Sequence, residues 1–214
     1  MQAFFSWIDK RYGYNISFAS IDKPRKISAP KEREVWTRDE FQRFIDVVDD
    51  PLYHCLFTMM FFSGRRKGEI FALTPDDITE KGIRWNKTIT RKTLDGTPWK
   101  VTATKQAKSM VQPIAEPLRK ELAVYKGQSP FFFGGERPLA ENTVSRRLDY
   151  YIKKAGVKRL VNHEMRHSYV SLLIHLGASY KLVAELIGDT ADQVIRTYGH
   201  LWNEDKISIV AKIE

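Results

Sequence analysis

The chain has 214 residues, of which 43% are hydrophobic, and this is enough to bury one sizeable core. Its 35 Lys and Arg residues outnumber the 26 Asp and Glu residues, so the formal charge is +9 and the isoelectric point lies near 9.5. This charge favours an anionic partner such as nucleic acid, and it is equally compatible with a basic globular protein that has no such partner.

Cys55 is the only cysteine, which excludes a disulfide framework and a cysteine-rich metal site. The longest apolar stretch, Leu52 to Phe62, is too short to span a bilayer, and the first residues lack the basic segment and cleavage site of a signal peptide. We therefore expect a protein of a reducing cytoplasm that is neither secreted nor bound to a membrane.

Residues 21–33 contain Pro24 and Pro30 among Lys, Arg and Ser side chains, which is typical of an extended linker. We expect a domain boundary at the end of this stretch. Residues 1–33 are then the end of an upstream part together with the linker, and residues 34–214 are the main domain.

The main domain opens with two predicted helices. Thr37 and Glu40 have the spacing of a capping box, and apolar residues follow them at helical intervals. The stretch from Leu52 to Phe62 is apolar on every side, which is typical of a buried central helix, and Gly64 suits its C-terminal cap.

Short β-branched stretches between Gly82 and Ile114 predict a small antiparallel sheet. The pair Asp95-Gly96 indicates a hairpin turn, and residues 104–109 indicate a second, polar turn. The sheet is therefore inserted among helices.

Helical spacing resumes after Glu116, and the predicted helices stop at Gly127, Gly156, Gly177 and Gly188. We expect Asn162 to cap one helix, and Thr190 with Gln193 to form a second capping box. The helix after Asn162 has polar residues on one face, His163, Arg166 and His167, and an apolar stripe of Met165, Tyr169, Leu172, Leu173 and Leu176. The fold class is therefore α+β and mainly helical.

Four short motifs follow one another along the chain. They are Ser63-Gly64-Arg65-Arg66-Lys67-Gly68-Glu69, Thr104-Lys105 with Lys108-Ser109, His163-Glu164-Met165-Arg166-His167, and Thr197-Tyr198-Gly199-His200-Leu201. Together and in this order they resemble the boxes of the tyrosine recombinases of the phage-integrase type. Each motif alone is a weak pattern, and their ordered occurrence over most of the chain is far more specific.

The resemblance implies a tyrosine-recombinase catalytic fold and a DNA strand-transferase that needs no metal and no cofactor. Tyr198 is implied as the nucleophile that forms a 3′-phosphotyrosine with DNA, which conserves the bond energy for rejoining. Arg66 and Arg166 have planar guanidinium groups that can each bind two phosphate oxygens and so stabilise the charge of the reacting phosphate. Lys105 is implied as the general acid. His163 is able to accept the Tyr198 proton or to hold a phosphate oxygen.

Asp189 departs from the family pattern, which usually has His or Trp at this place. A carboxylate beside a phosphate is repulsive unless it is protonated or paired with an arginine. Asp189 therefore organises a neighbouring base, or His200 or another group supplies the missing hydrogen bond, or Asp189 has only a structural role in its turn. Its catalytic assignment and that of His200 stay open.

Three alternatives remain from the sequence. His163-Glu164-Met165-Arg166-His167 also matches the zinc-protease pattern, with Glu164 as general base and Glu185 as a third ligand. A type IB topoisomerase shares the tyrosine chemistry but relaxes supercoils, and the departure at Asp189 lends some support to an inactive DNA-binding module.

The partner implied by the resemblance is a double-stranded DNA attachment site, bound in the cytoplasm of a bacterial host during integration or excision of a phage or mobile element. Lys108, Arg146 and Arg147 are expected on the DNA face. The last apolar residues, Ile207 to Ile213, are expected to dock on a neighbouring protomer of a DNA-bound tetramer, or on the same domain. Without DNA we expect a monomer. Residues 1–33 then correspond to the end of a core-binding domain with the interdomain linker, and residues 34–214 to the catalytic domain.

Overall fold

A computed structural model of the protein describes residues 2–13, 34–91, 96–104 and 110–202, and the chain divides into two units, residues 1–32 and 33–214. In the first unit, helix α1 (Gln2–Tyr12) places the guanidinium carbon of Arg11 5.7 Å from the centre of the Trp7 ring. All residues with a predicted catalytic role belong to the second unit.

The second unit begins with helices α2 (Arg38–Ile45) and α3 (Pro51–Ser63). The predicted capping box is confirmed, because Thr37 Oγ1 accepts the Glu40 N–H at 3.2 Å and the Glu40 carboxylate accepts the Thr37 N–H at 2.8 Å. Helix α3 is the predicted central helix: residues 55–57 are fully buried, and the helix ends at Gly64, whose φ is 59°.

Aromatic side chains fill the space around α2 and α3. The ring of Phe44 lies 4.7 Å from that of Trp36 and 5.3 Å from that of Phe57. Full burial of each such side chain stabilises the fold by about 1.5–3 kcal/mol. Trp36 also donates hydrogen bonds of 2.9 Å from Nε1 to the Lys158 carbonyl and from its backbone N–H to Ser168 Oγ. The start of the unit is thereby tied to its later helices.

In the described residues of the next segment, a short helix and five strands follow. The helix is α4 (Lys67–Phe71), and the strands are β1 (Ile78–Thr79), β2 (Gly82–Trp85), β3 (Lys87–Thr90), β4 (Lys100–Ala103) and β5 (Met110–Gln112). All strand pairs are antiparallel, in one sheet of order β1-β2-β5 and a second sheet of β3 and β4. The predicted small antiparallel sheet is confirmed, in two parts. Of the predicted turns, Asp95 and residues 105–109 lie outside the described residues.

Five helices complete the described part of the chain, followed by a 3-10 turn at Gly199–Trp202. They are α5 (Glu116–Val124), α6 (Glu141–Ala155), α7 (Asn162–His175), α8 (Tyr180–Ile187) and α9 (Ala191–Tyr198). Gly156 and Gly188 end α6 and α8 with φ of 64° each, as left-handed caps. Within the described ranges, no helix has the length and apolarity that crossing a bilayer requires.

Two expectations about α7 are wrong. Asn162 is the first helical residue rather than the cap, and its amide donates to Ser145 Oγ at 3.2 Å. The carboxylate of Glu164 satisfies the helix start instead, because it accepts the Val161 N–H at 2.7 Å. Leu176 is 72% exposed, since the helix has ended before it and its side chain lies beyond the packed face.

Two clusters of buried side chains hold these helices together. The larger one spans α2 to α6 and receives Met165 from α7. The smaller one joins α7, α8 and α9, and its members are Tyr169, Val170, Ile174, Val183, Ala184, Ile187, Val194 and Tyr198. Because α7 contributes to both clusters, the position of Tyr198 on α9 is fixed relative to the main core.

Candidate active site

A cavity of about 340 Å³ lies between the start of α7, the turn before α9 and the residue that precedes α4. It is lined almost entirely by polar side chains, namely Arg66, His163, Arg166, His167, Asp189, Gln193, Thr197 and Tyr198, together with Val194. The structure therefore brings four of the five predicted catalytic residues to one place. The fifth, Lys105, lies outside the described residues.

Arg66 is the residue before the first turn of α4, and Glu69 holds it there. The Glu69 carboxylate accepts the Arg66 N–H at 3.3 Å and Arg66 Nη1 at 3.4 Å. The neighbouring Arg65 is buried: its Nε donates to Gln112 Oε1 at 3.1 Å, and its guanidinium lies 5.2 Å from the centre of the Trp85 ring. Burial lowers the pKa of Arg65 to about 10. Of the two consecutive arginines, Arg66 faces the cavity, with 48% of its side chain exposed.

Arg166 enters the cavity from α7 and is almost completely buried. Its Nη1 donates to the carbonyl oxygens of Gly64 and Ile187, at 2.8 Å each. Burial lowers the pKa of Arg166, and the nearby positive charge of Arg66 lowers it further. Because the two carbonyls come from the ends of α3 and α8, this guanidinium is held in one orientation.

Asp189 lies between the two arginines. Its Oδ2 accepts Arg66 Nη2 at 2.9 Å and Arg166 Nη2 at 2.8 Å, and its Oδ1 accepts the Thr190 N–H at 3.1 Å. The carboxylate is thus paired, which is one of the two conditions under which it is compatible with a neighbouring phosphate. His200, on the 3-10 turn, lies outside the set of residues that line the cavity.

The turn that carries Asp189 is held from two sides. On one side, Arg66 Nη1 donates to the Gly188 carbonyl at 3.2 Å. On the other side the buried Arg65 is so close that a Cβ on Gly188 would lie 2.1 Å from Arg65 Nη1. The left-handed φ therefore favours glycine at residue 188, and any larger residue would also displace the Arg65 guanidinium.

Tyr198 ends α9, and only 7% of its surface is exposed. Its hydroxyl is hydrogen-bonded to Nδ1 of His167, and the two ring centres are 5.4 Å apart. The exposed ring of His163 packs edge-on against His167, with 4.8 Å between ring centres. The three side chains form a continuous row from the surface to the predicted nucleophile.

The start of α9 was only partly predicted. Thr190 Oγ1 accepts the Gln193 N–H at 3.2 Å, as a helix cap does. The reciprocal half of the predicted capping box is wrong, because the Gln193 amide donates to Thr197 Oγ1 at 3.1 Å instead. Gln193 and Thr197 are one turn apart on the face of α9 that lines the cavity.

His167 is the residue that the sequence did not single out for the DNA chemistry. The motif places His167 on the polar face of its helix, and the zinc alternative makes it a metal ligand. A signal was nevertheless present, because His167 is one turn after His163 and therefore lies on the same face of the helix. Its partner Tyr198 comes from another helix, and no local pattern indicates that contact.

Some of the residues predicted to contact DNA outside the cavity lie outside the described residues, and the others lie on α6. Lys105 and Lys108 lie outside the described residues. Arg146 and Arg147 are exposed on α6, and neither lines the cavity. The Arg147 guanidinium lies 5.4 Å from the centre of the Tyr53 ring, which gives it a cation-π contact within the protein.

The zinc-protease alternative meets a physical obstacle. Its general base, Glu164, is engaged with the Val161 N–H at the helix start, and its ligand His167 is hydrogen-bonded to Tyr198. Across the described part of the chain, no group of three or more His, Cys, Asp or Glu side chains is arranged to hold a metal ion.

Residues 34–204 match the profile of the Phage integrase family. The chain belongs to this family. The match covers the whole range from the α2 cap to the residues after Tyr198, so all of the motifs and the cavity of this integrase-family chain lie inside it.

Two curated relatives of this integrase-family chain have informative names. The ICEBs1 integrase of Bacillus subtilis (strain 168) is 26% identical over 204 residues, which cover 86% of the chain and 55% of the relative. Tyrosine recombinase XerH of Campylobacter jejuni is 22% identical over 231 residues, covering 98% of the chain and 62% of the relative. The chain therefore spans little more than half the length of these relatives.

Solved structures share the fold. The Tn1549 transposon integrase in complex with transposon right end DNA superposes with a TM-score of 0.72 at 17% identity, covering 99% of this chain and 76% of that one. The crystal structure of XerA recombinase gives a TM-score of 0.63 at 17% identity, with 83% and 67% covered. The integrase-family chain thus has the mainly helical fold with a small antiparallel sheet that its sequence predicted.

Proposed function

We propose that this chain is the catalytic part of a site-specific DNA recombinase that cleaves and rejoins DNA through a 3′-phosphotyrosine. The observation that carries the proposal is the meeting of a tyrosine hydroxyl and two arginine guanidinium groups at one polar cavity. In such a cavity one phosphodiester can contact a nucleophilic hydroxyl and two guanidinium groups at the same time. The names of the relatives favour recombination over DNA relaxation.

Arg66 and Arg166 stabilise the charge that builds up on the phosphorus oxygens. Asp189 and Glu69 offset part of their charge, and the buried Arg65 adds a third guanidinium beside Glu69. Three guanidinium groups and two carboxylates leave a formal charge of +1. The cluster therefore still attracts an anion. Arg166 is fixed by backbone carbonyls, while the half-exposed Arg66 is the arginine that solvent and DNA reach first. In this role Asp189 orients the arginines and does not replace the missing donor.

The remaining roles concern protons and phosphate oxygens. Lys105 donates a proton to the leaving 5′-oxygen, and His163, exposed at the cavity mouth, donates a hydrogen bond to a phosphate oxygen. The reaction consumes no cofactor and needs no metal ion, because guanidinium groups supply the charge that a metal would otherwise supply. His200 has no role in this scheme.

The wider assignment concerns the whole protein. Residues 34–214 form the catalytic domain, and residues 1–33 are the end of a core-binding domain with its linker. The substrate is a double-stranded attachment site of a phage or other mobile element in the cytoplasm of a bacterial host, bound by a tetramer that assembles on DNA from monomers. Lys108, Arg146 and Arg147 contact DNA phosphates outside the cavity. The names ICEBs1 integrase and Tn1549 transposon integrase support the mobile-element assignment.

The test is covalent trapping. Nicked suicide duplexes made from the DNA that flanks the gene are incubated with the wild type, with Tyr198→Phe and with Tyr150→Phe. Tyr150 is an exposed tyrosine on α6 and serves as the matched control. We expect a gel-stable complex carrying a 3′-phosphotyrosine and a free 5′-hydroxyl for the wild type and the control. Tyr198→Phe is expected to bind DNA without forming the complex. A covalent complex with the Tyr198→Phe protein, or a 5′ linkage, would show that the assignment is wrong.

A further inference from the structure

The hydroxyl of Tyr198 is directed by a partner within the protein. Nδ1 of His167 is hydrogen-bonded to it, and both side chains are buried, with 5% of His167 and 7% of Tyr198 exposed. A buried phenol whose oxygen pairs with a ring nitrogen has few orientations left. The contact therefore acts on the atom that attacks DNA.

We propose that His167 is a catalytic residue that orients the Tyr198 hydroxyl and takes its proton during the attack on DNA. The inference rests on the proposed function of the cavity. For the hydroxyl to donate, Nδ1 of His167 has to be unprotonated, which places the ring proton on Nε2. His167 is thus the general base of the cleavage step, and His163 is left to bind phosphate.

The proposed step balances in atoms and charge. The Tyr198 oxygen forms a bond to phosphorus while its proton passes to Nδ1 of His167. The bond from phosphorus to the 5′-oxygen breaks, and that oxygen leaves with the proton that Lys105 is proposed to donate. In the rejoining step the oxygen of the 5′-hydroxyl bonds to phosphorus and its proton returns to the Lys105 amine. The bond from phosphorus to the tyrosine oxygen breaks, and His167 returns its proton to that oxygen.

The surroundings favour His167 as this base. The other titratable and charged side chains of the cavity are Arg66, Arg166, Asp189 and His163. The Asp189 carboxylate is held by both guanidinium groups, and the Glu69 carboxylate is held by Arg66. The proton acceptor in contact with the Tyr198 hydroxyl is therefore Nδ1 of His167. The ring of His163 packs on His167 with 4.8 Å between ring centres and shields it from solvent on that side.

The first test replaces the histidine by a side chain that accepts a hydrogen bond but does not take a proton. In His167→Asn the amide oxygen lies close to the place of Nδ1. We expect DNA affinity to be unchanged and the single-turnover rate of covalent-complex formation to fall by roughly 10²–10⁴-fold. The wild-type rate should decline at acidic pH, and the variant should lose this decline. His175→Asn, at the exposed end of the same helix, is the matched control and should behave like the wild type.

A His167→Asn protein with the wild-type rate and pH profile would overturn the proposal. The second test does not depend on the folding of that variant or on DNA cleavage. In ¹⁵N spectra of the histidine rings, the wild type should show Nδ1 of His167 as an acceptor, and Tyr198→Phe should shift this signal while Tyr150→Phe leaves it in place. An unshifted signal contradicts the contact. If the wild type forms no covalent complex but Tyr198→Phe still shifts the His167 signal, the result contradicts the proposed function and not the contact.

Discussion

Replacement of Gly64 by alanine tests the packing on which the cavity rests. Gly64 ends α3 with φ of 59°, and its carbonyl accepts a hydrogen bond from Arg166. A Cβ at this position would lie 2.3 Å from Cδ1 and 3.0 Å from Cγ of Tyr169. The left-handed backbone costs a non-glycine residue about 1–2 kcal/mol, and forcing a methyl group into a packed core costs a further ~1–3 kcal/mol. We therefore expect Gly64→Ala to lower the free energy of unfolding by about 2–5 kcal/mol.

Gly156 is a matched control for this experiment. It ends α6 with φ of 64°, and nothing lies within 4 Å of the position that its Cβ would occupy. Gly156→Ala should therefore show only the backbone cost of about 1–2 kcal/mol. The difference between the two variants isolates the contact with Tyr169.

The measurement is urea unfolding at neutral pH, followed by circular dichroism and by tryptophan fluorescence. A third variant, Tyr169→Ala, and its combination with Gly64→Ala complete a double-mutant cycle. Since the ring is what the new methyl group meets, the loss caused by Gly64→Ala should be smaller when the ring is absent. Equal losses for Gly64→Ala and Gly156→Ala, together with an additive cycle, would refute the reasoning.

Three further predictions concern other parts of the unit. Asp49 accepts hydrogen bonds from Tyr151 and Lys154, which lower the pKa of its carboxyl from 3.8 to about 2. Its contribution to stability is present above pH 3.8 and is lost as the pH falls through about 2. The difference in unfolding free energy between wild type and Asp49→Asn should therefore shrink over that range in acid titrations. Arg146→Ala should weaken DNA binding at all sequences and make the logarithmic salt dependence shallower by about one unit; an unchanged slope in binding titrations would exclude a phosphate contact. Deletion of residues 204–214 should leave single-site DNA binding intact and abolish synaptic complexes of the full-length protein on gels, whereas a large drop in the melting temperature of the isolated domain with normal synapsis would assign the tail to its own domain.

Local signals predicted the framework well because they act over a few residues. The capping box of Thr37 and Glu40 and the glycine ends at Gly64 and Gly188 depend on backbone groups within one turn. The same locality explains the error at Asn162, where a carboxylate within the first turn competes for the helix start. Several polar side chains near a helix start can bond the same free backbone N–H groups, and the sequence alone does not show which of them does so.

The cavity depends on contacts that no local signal contains. Asp189 meets an arginine 123 residues earlier and another 23 residues earlier, and Tyr198 meets a histidine 31 residues earlier. The motifs predicted that Arg66, His163, Arg166 and Tyr198 belong together, and the structure brings them to one cavity. That a carboxylate is shared by both arginines, and that a second histidine pairs with the tyrosine, follows only from the packing of α7, α8 and α9.

The contact between Gly188 and Arg65 has a consequence for how this sequence can change. A larger residue at 188 meets the buried guanidinium and requires it to shift, and a shorter side chain at 65 removes that contact. Shortening Arg65 first removes its bond to Gln112 and its packing on Trp85, and is itself unfavourable. The two positions are therefore coupled: a shorter side chain at 65 relieves the steric part of a substitution at 188 but leaves the cost of its left-handed φ. Divergence of the loop that carries Asp189 is restricted by a residue that never enters the cavity.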